Sequence, residues 1–277
     1  MKQKKVLVAG LGLIGGSMAA AISEKTPHLV YGYDIDTETQ QKALADGAIA
    51  QAWEKDGDFD LVLIALYPSA AISFLENFGP SFASSCVVVD LCGVKQSVCQ
   101  AARKIFTKGR ATFVGGHPMA GREVWGYAGA SVKLFEKASM ILTPFDDTPK
   151  ETLALLEEFF LSVGFGRITY ATPYHHDEMI AYTSQLAHVV SAAYVCSPLA
   201  LETPGFSAGS FKDMTRVARL NEHMWTELFL HNRECLISQM DHLIDNLVAL
   251  RKAIAQGDRL KLEELLAESR KTKEAIL

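Results

Sequence analysis

The sequence has few cysteines, and none of them shows the spacing of a disulfide or metal framework. Its five cysteines in 277 residues are an odd number, and no two are spaced C-x-x-C. This usage excludes a disulfide-stapled secreted scaffold and indicates reduced thiols, as in the cytoplasm. No spacing of His, Cys and acidic residues resembles a zinc site, so we expect no metal.

Long apolar runs and clusters of basic residues are also absent. No apolar stretch approaches the roughly 20 residues of a membrane-spanning helix, and glycines interrupt the one after Lys5, unlike a secretory signal. The net charge is −5, without a run of Lys or Arg. We therefore expect a cytoplasmic protein that binds neither nucleic acid nor membranes. An anionic small substrate is compatible with this net charge, but individual arginines would have to bind it.

Hydrophobic periodicity divides the chain into two halves. Up to about residue 171, short β-rich runs alternate with helical stretches, and runs such as LVLIAL and CVVVDL are apolar throughout. Such strands are typical of parallel sheets covered by helices on both faces. The predicted strands are Lys5–Ala9, Leu29–Tyr33, Leu61–Leu66, Val87–Leu91, Thr112–Val114, Met140–Leu142 and Arg167–Tyr170. We predict an α/β fold whose first domain, residues 1–171, is a Rossmann-type, doubly wound, mainly parallel sheet.

Strand signals end before residue 172, and residues 172–277 are predicted to form an all-helical domain. Near its end, apolar residues follow a heptad spacing: Leu236, Met240, Leu243, Leu247, Leu250 and Ile254. Such a seam belongs either to a helix buried in its own domain or to a subunit interface. The apolar stripe is widened by Ile237, Ile244 and Val248. A stripe this wide usually needs more than one partner face, so a homodimer interface stays one of the two alternatives.

The glycine-rich segment VLVAGLGLIGGS follows the first predicted strand and opens a helix. In this motif Gly10 permits the tight turn, Gly12 lets the backbone approach a pyrophosphate, and Gly15 allows close packing of helix and strand. The helix start, with Leu13 and Ile14, then presents free N–H groups to the phosphates. The pattern predicts a dinucleotide site.

Asp34 ends the second predicted strand, about where this motif places its acid. An acid there accepts hydrogen bonds from ribose hydroxyls and repels a 2′-phosphate, and no arginine follows in DIDTET, so NAD is favoured over NADP. The alternative is a plain tight turn with Asp34 as a helix cap. Leu66, Pro68 and Gly93 are assigned to the same cofactor site, at the carboxyl edge of the sheet.

One histidine lies among glycines and a proline in VGGHPMAG, residues 114–121. Pro118 restricts the residue before it, which limits how His117 is aimed, and Gly115, Gly116 and Gly121 remove side chains where cofactor and substrate would approach. An imidazole can take a proton from a hydroxyl during oxidation. This loop therefore suits hydride transfer from a carbinol to nicotinamide, with His117 as base. The alternative is a structural histidine bonded to backbone.

The sequence resembles the prephenate/arogenate dehydrogenase family. Four segments occur in the order seen in that family: the glycine loop, GGHPMAG, TSQLAH at 183–188 and FKDMTRVA at 211–218. The similarity extends from about residue 4 to about residue 235. The resemblance implies NAD-dependent oxidative decarboxylation of prephenate, or of its amino analogue arogenate, in tyrosine biosynthesis. It also implies a helical domain that pairs in a homodimer. By the same resemblance, Arg216 grips a substrate carboxylate in a bidentate contact, and Ser184, Gln185 and His188 contribute to that pocket.

Two positions depart from the family pattern. Gly93 replaces the serine of a Gly-Ser-Val-Lys loop, whose hydroxyl would help hold the substrate hydroxyl, and Gln185 replaces the first histidine of S-H-x-x-H. Lys95 matches the pattern, although a solvent-facing lysine at a helix start fits equally well. Arg216 has the alternative of a helix pair with Asp213, and His188 that of a core histidine.

Two other functions fit part of the pattern. A dehydrogenase of the 3-hydroxyacid or imine type shares the architecture, but it would place a lysine on the helical-domain face and lack the His-Pro-Met-Ala-Gly loop. A non-catalytic NAD-sensing module needs the cofactor site but neither His117 nor Arg216.

The segment HHDE at residues 175–178 is a further cluster of titratable side chains. It lies at a predicted helix start, where Asp177 and Glu178 suit the helix dipole. The sequence assigns no catalytic part to His175 or His176.

Overall fold

The computed structural model describes residues 2–276. Its strands are β1 Lys5–Ala9, β2 Leu29–Tyr33, β3 Gln51–Ala52, β4 Leu61–Ile64, β5 Val87–Asp90, β6 Thr112–Pro118, β7 Ser139–Thr143 and β8 Arg167–Tyr170. The helices up to residue 232 are α1 Leu13–Lys25, α2 Thr37–Ala45, α3 Pro68–Phe78, α4 Gln96–Ile105, α5 Lys150–Val163, α6 Pro173–Ile180, α7 Leu186–Val195, α8 Gly209–Thr215 and α9 Glu222–His231. Across the described residues the strands form a sheet in the order β3-β2-β1-β4-β5-β6-β7-β8.

All neighbouring strands of this sheet are parallel except β6 and β7. From β1 the chain proceeds outward through β2 and β3, then returns to place β4 on the other side of β1. The crevice where the strand order reverses is where open α/β sheets bind their ligands. In this sheet it lies beyond Ala9 and Ile64, which are paired at the ends of β1 and β4.

The apolar strands bury side chains on both faces of the sheet. Along β1 and β4, Val8 and Leu63 join one core cluster, whereas Leu7 and Val62 join the other. Successive side chains of a strand point to opposite faces, so a strand covered on both sides is apolar at every position. Each buried large aliphatic side chain contributes about 1.5–3 kcal/mol, and the two cores together hold the carboxyl edge of the sheet in place.

The strand that carries the candidate base is longer than the sequence indicated. Strand β6 was predicted to end at Val114, with a loop from Gly115, but it continues to Pro118. The prediction was wrong because antiparallel pairing with β7, from Gly115 opposite Thr143 to Pro118 opposite Met140, extends the ladder. His117 therefore projects from a strand with a fixed backbone.

Internal packing divides the chain into two compact units, with the division after Asn232. The second unit consists of α10, Arg233–Gln256, and α11, Arg259–Ala275. Gly257, at φ +63°, ends the first helix, and the Asp258 carboxylate caps the second by accepting a hydrogen bond from the Lys261 amide. The domain boundary placed at residue 171 from the sequence stays a prediction.

Helix α10 carries the predicted heptad seam, and much of the apolar stripe is exposed. Its exposed residues are Ile237, Ile244, Leu247, Val248 and Ile254. Within residues 2–276, no helix combines the length and apolar character needed to cross a membrane.

Candidate active site

The glycine turn between β1 and α1 has the shape of a phosphate cradle. Gly10 has φ +86°, and a Cβ atom there would lie 2.4 Å from the Ala65 carbonyl oxygen. A Cβ atom on Gly15 would lie 1.7 Å from the Gly10 carbonyl oxygen, so only glycine lets α1 pack this closely against the turn. A Cβ atom on Gly12 would meet nothing within 4 Å. The open side of Gly12 and the uncapped start of α1 at Leu13 suit a pyrophosphate.

Asp34 braces this turn from the end of β2. One carboxylate oxygen accepts a hydrogen bond from the Leu11 amide at 2.7 Å, and the other accepts one from the Asp36 amide at 3.0 Å. Each oxygen keeps acceptor capacity for a ribose hydroxyl. The alternative of Asp34 as a helix cap is wrong, because Asp36 is the residue that caps α2.

The other predicted cofactor residues follow β4 and β5 at the same edge. A Cβ atom on Gly10 would lie 2.7 Å from Leu66 Cδ2, so the Leu66 side chain borders the glycine turn. Pro68 opens α3 at its first position, where a missing N–H group costs nothing. A Cβ atom on Gly93 would lie 3.9 Å from Nε2 of His117. The structure thus brings residues from three separate loops to one edge of the sheet.

His117 is half-buried at the end of β6, and its Nδ1 lies 2.8 Å from Nε2 of His176. Its own Nε2 makes no hydrogen bond within the part of the chain that the structure describes. Burial lowers the pKa of His117 well below its ordinary value, and the nearby His176 and Lys95 lower it further. A neutral imidazole with an available nitrogen is the form that a general base requires.

Behind His117, two fully buried side chains of α6 continue the hydrogen-bond chain. Nδ1 of His176 lies 2.7 Å from Oδ1 of Asp177. The Asp177 carboxylate also accepts hydrogen bonds from the backbone amides of Lys95 at 2.7 Å and Gln96 at 2.8 Å, at the start of α4. The dipole of α4 thus favours the negative charge of Asp177. HHDE lies near the start of α6, as the sequence predicted, and within it His176 and Asp177 are buried.

Gln185 belongs to the same buried polar group. Its Oε1 accepts a hydrogen bond from Asn232 Nδ2 at 2.8 Å, and its Nε2 donates to the Leu228 carbonyl at 3.3 Å. Asn232 Nδ2 also donates to the Asp177 carbonyl oxygen at 2.8 Å. The structure therefore places Gln185 in the buried polar group that includes Asp177, and the predicted contact of Gln185 with substrate stays a prediction.

Lys95 forms a buried ion pair with Asp90 beneath β6. The Lys95 ammonium donates to the Asp90 carboxylate and, at 2.6 Å, to the Gly116 carbonyl oxygen. Burial opposes the charge on Lys95, but Asp90, with nearby thiols, raises its pKa above the ordinary value. The alternative of a solvent-facing lysine is wrong. Lys95 ties the ends of β5 and β6 together directly beside His117.

Two glycines next to His117 leave space that other side chains of the core fill. A Cβ atom on Gly115 would lie 2.2 Å from Thr143 Oγ1 and 3.3 Å from Lys95 Cδ. One on Gly116 would lie 2.6 Å from Met140 Cε. The expectation that these glycines clear space for cofactor and substrate is wrong, because the space beside them is filled by core side chains.

Arg216 lies on a short 3₁₀ turn after α8, and its guanidinium pairs with the carboxylate of Glu123. Within the described residues its carboxylate partner is Glu123 rather than Asp213. Both side chains are accessible, at 63% and 45% of their surfaces. The charge of Arg216 is therefore available to a substrate carboxylate.

His188, on α7, is half-buried and stacks on Trp225 with ring centroids 3.6 Å apart. Its Nδ1 donates to the Ser184 carbonyl oxygen at 2.9 Å, which leaves Nε2 as the acceptor of the neutral ring. Burial and then Arg216 lower the pKa of His188. Ser184 lies on a π-helical turn, Ala181–Gln185, a local distortion that is frequent at functional sites.

Sequence reasoning missed His176, Asp177, Glu123 and Asn232. The contact between His117 and His176 spans 59 positions, and that between Arg216 and Glu123 spans 93. No local spacing announces such contacts. Within residues 2–276, no three His, Cys, Asp or Glu side chains form a group able to hold a metal ion.

Two family models match the chain and together cover most of it. Residues 18–169 match the nucleotide-binding domain of prephenate dehydrogenase, and residues 172–268 match its dimerization domain. The chain belongs to the prephenate dehydrogenase family. Membership confirms the resemblance stated from the motifs, the Rossmann-type domain followed by a helical domain, and the assignment as a dehydrogenase.

Similar proteins support this membership of the prephenate dehydrogenase family. The chain is 31% identical to the cyclohexadienyl dehydrogenase of Zymomonas mobilis, over 99% of this chain and 96% of that protein. It is 32% identical to the prephenate dehydrogenase of Bacillus subtilis, over 93% of this chain and 72% of that protein. A crystal structure of prephenate dehydrogenase from A. aeolicus, in complex with hydroxyphenyl propionate and NAD+, matches with a TM-score of 0.89 and 28% identity, covering 100% and 99% of the two chains.

Proposed function

We propose that this protein catalyses the NAD-dependent oxidative decarboxylation of prephenate to 4-hydroxyphenylpyruvate, a step of tyrosine biosynthesis. The observation that carries the proposal is the position of His117. Burial lowers the pKa of its ring, its Nδ1 lies within hydrogen-bond distance of His176, and its Nε2 faces Gly93 at the edge where the glycine turn opens. Family membership supplies the reaction class.

The cofactor is NAD. The crevice at the glycine turn fits a dinucleotide, because Gly12 is open, α1 is uncapped, and Asp34 offers carboxylate oxygens to ribose hydroxyls. The related A. aeolicus enzyme was solved with NAD+. When bound, NAD supplies the acceptor for the hydride that leaves the substrate ring carbon.

The residues of this chain handle the proton and the charges. His117 Nε2 accepts the proton of the ring hydroxyl as the carbinol C–H bond breaks. The bond from the ring to its carboxylate then breaks, its electron pair enters the ring, and CO2 leaves as the ring becomes aromatic. The resulting phenolate oxygen takes the proton back from His117, which gives the phenol of the product. Gaining aromaticity makes the step effectively irreversible. His117 needs to be neutral at the start, and its lowered pKa, caused first by burial, favours that form.

Arg216 recognises the side-chain carboxylate of the substrate. A guanidinium binds a carboxylate through two parallel N–H donors, which fixes its orientation as well as its position. The carboxylate of Glu123 pairs with this guanidinium. We propose that the substrate carboxylate displaces Glu123, with Ser184 and His188 on the same side of the pocket.

Arogenate is the second candidate substrate, and Glu123 is the observation that favours it. Arogenate carries an ammonium group beside the side-chain carboxylate, where prephenate has a keto group. A carboxylate next to Arg216 gives a complementary pair for such a zwitterion. The relative from Z. mobilis bears the broader name cyclohexadienyl dehydrogenase.

We also propose a homodimer that forms through the helical domain, and a cytoplasmic location. The family model over residues 172–268 is a dimerization domain, and α10 exposes an apolar stripe of the kind that a second subunit covers. Light scattering coupled to size-exclusion chromatography tests the dimer. A mass of one chain at micromolar concentration would contradict it.

The decisive experiment is NADH formation by purified protein with NAD, offered prephenate and arogenate separately. We expect turnover of prephenate. Turnover of arogenate alone would transfer the assignment to the second candidate. If NAD binds and neither compound reacts, the proposed reaction is wrong and other ring carbinols become the substrates to test.

A further inference from the structure

We propose that His176 and Asp177 are positioning residues that hold His117 in the tautomer able to accept a proton at Nε2. The three side chains form a chain of two hydrogen bonds, 2.7 Å from Asp177 to His176 and 2.8 Å from His176 to His117. The inference deepens the proposed function, and only its kinetic test rests on that function.

The position of the first proton follows from Asp177. Its carboxylate already accepts two backbone N–H groups, from Lys95 and Gln96, at the start of a helix. Accepting N–H donors and facing a helix N-terminus both favour the ionised carboxylate. An ionised carboxylate only accepts hydrogen bonds, so Nδ1 of His176 carries its hydrogen.

The position of the second proton follows from the first. A neutral His176 with hydrogen on Nδ1 has a lone pair on Nε2, so it can only accept from His117. His117 Nδ1 must then be the donor. A neutral His117 with hydrogen on Nδ1 has its lone pair on Nε2, the atom that faces Gly93 and the substrate side.

The other proton arrangements conflict with the surroundings. With hydrogen on Nε2 of His176 instead of Nδ1, two lone pairs would face each other at the Asp177 contact. With hydrogen on both nitrogens, a cationic ring would be fully buried close to Lys95. Burial and the Lys95 charge lower the pKa of His176, despite the opposing effect of Asp177.

Asn232, at the end of α9, holds the hydrogen-bonded side chains in place. Asn232 donates from one amide nitrogen to the Asp177 carbonyl and to Gln185. Asp177, Gln185 and Asn232 are all buried. An imidazole oriented by such an outer shell keeps both its ring position and its tautomer, as metal-bound histidines do.

The direct test is ¹⁵N NMR of protein labelled at histidine nitrogens, without substrate, at neutral pH. The His117→Asn variant identifies the resonances of His117 by their loss, and His117→Gln serves if that variant does not fold. We expect the Nδ1 signal of His117 at the protonated position and Nε2 at the unprotonated position. Protonation at Nε2 in the free protein would overturn the inference.

Variants of His176 separate positioning from mere packing. His176→Leu removes the acceptor, so we expect the hydrogen of His117 to redistribute to Nε2 and kcat to fall about 10- to 100-fold, the range for losing an orienting partner, with KM for NAD unchanged. His176→Gln retains an acceptor oxygen and should recover part of kcat. His175→Leu is the matched control, since the adjacent His175 is exposed and pairs with Glu178.

Replacing the carboxylate gives an independent test. In Asp177→Asn, the new amide nitrogen has two possible positions. It either faces a backbone N–H group that now donates to Asp177, or it donates to Nδ1 of His176 and reverses the direction of both hydrogen bonds to His117. In the serine-protease triad the comparable change lowers turnover by about 10⁴-fold because the tautomer is wrong, and we expect a loss of about 10²- to 10⁴-fold.

The two parts of the test fail in different ways. If His117 has the expected tautomer but neither prephenate nor arogenate reacts, the proposed function fails and the positioning role stands. If either substrate reacts while His176→Leu leaves both kcat and the tautomer of His117 unchanged, the positioning role fails and the function stands.

Discussion

Gly93 lies where a side chain would point at the candidate base: a Cβ atom there would be 3.9 Å from Nε2 of His117 and 3.3 Å from Leu228 Cδ2. Serine, which the resembled family has at this position, would bring its hydroxyl close to both the base and a substrate hydroxyl. The backbone of Gly93 is not in the left-handed region, so the substitution brings no strain of that kind.

We therefore predict that Gly93→Ser raises kcat/KM for the preferred substrate about 2- to 10-fold, because one added hydrogen bond contributes about 0.5–1.5 kcal/mol. Steady-state kinetics measures the effect. Gly93→Ala is the control, since it makes the same contact with Leu228 without a hydroxyl. An equal gain from alanine would exclude the hydrogen bond as the cause.

Replacing His117 tests the base. His117→Asn keeps a polar side chain but cannot take a proton, so kcat should fall about 10²- to 10⁴-fold. Binding of NAD should be unchanged, as measured by fluorescence or calorimetric titration, because the glycine turn is intact. Retained turnover would remove His117 from the mechanism.

The pH profile should reflect the lowered pKa of His117. Burial, with His176 and Lys95 nearby, keeps the ring neutral at pH values where an ordinary histidine is protonated. Activity should thus persist as pH falls through about 6.5, the ordinary histidine value, and disappear only at lower pH. The acid limb of kcat/KM against pH measures this, and return of activity at neutral pH excludes unfolding. A limb centred at or above 6.5 would contradict the prediction.

The buried pair of Lys95 and Asp90 should contribute to stability chiefly through the cost of breaking it. Lys95→Met leaves the Asp90 charge buried without its partner, which should lower the free energy of unfolding by about 3–5 kcal/mol. The double variant Asp90→Asn with Lys95→Met should recover most of that loss. Urea unfolding measures both, and equal stability of the single and double variants would show that the ion pair is not the cause.

The pair of Arg216 and Glu123 should determine substrate recognition. Arg216→Lys loses the bidentate contact, so KM for prephenate should rise roughly 10- to 100-fold, corresponding to about 1.5–3 kcal/mol for a charge-assisted hydrogen bond. Glu123→Gln should raise KM for arogenate and leave KM for prephenate unchanged or lower, because only arogenate has an ammonium group. Steady-state kinetics with both substrates measures the ratio of the two KM values. Equal changes for both substrates would show that Glu123 does not recognise the ammonium group.

Local patterns in the sequence determined the first half of the fold and its character as a nucleotide-binding domain. A tight turn, a close helix approach and an acid at the end of the next strand are properties of short segments, so Gly10, Gly15 and Asp34 could be assigned from spacing alone. The apolar strands were recognisable for the same reason, since burial on both faces makes every position apolar.

Only the tertiary structure decided what surrounds His117. Its strand is extended by pairing with β7, and its hydrogen bonds lead to His176, 59 positions further along the sequence, and from there to Asp177. The sequence left Lys95 open between a position that matches the family and a solvent-facing one, and the structure shows it as a buried cation beside Asp90. A hydrogen bond between residues far apart in the sequence depends on where the folded backbone places them. Neither residue type nor local spacing gives the distance between their side chains, so the sequence alone could not predict these contacts.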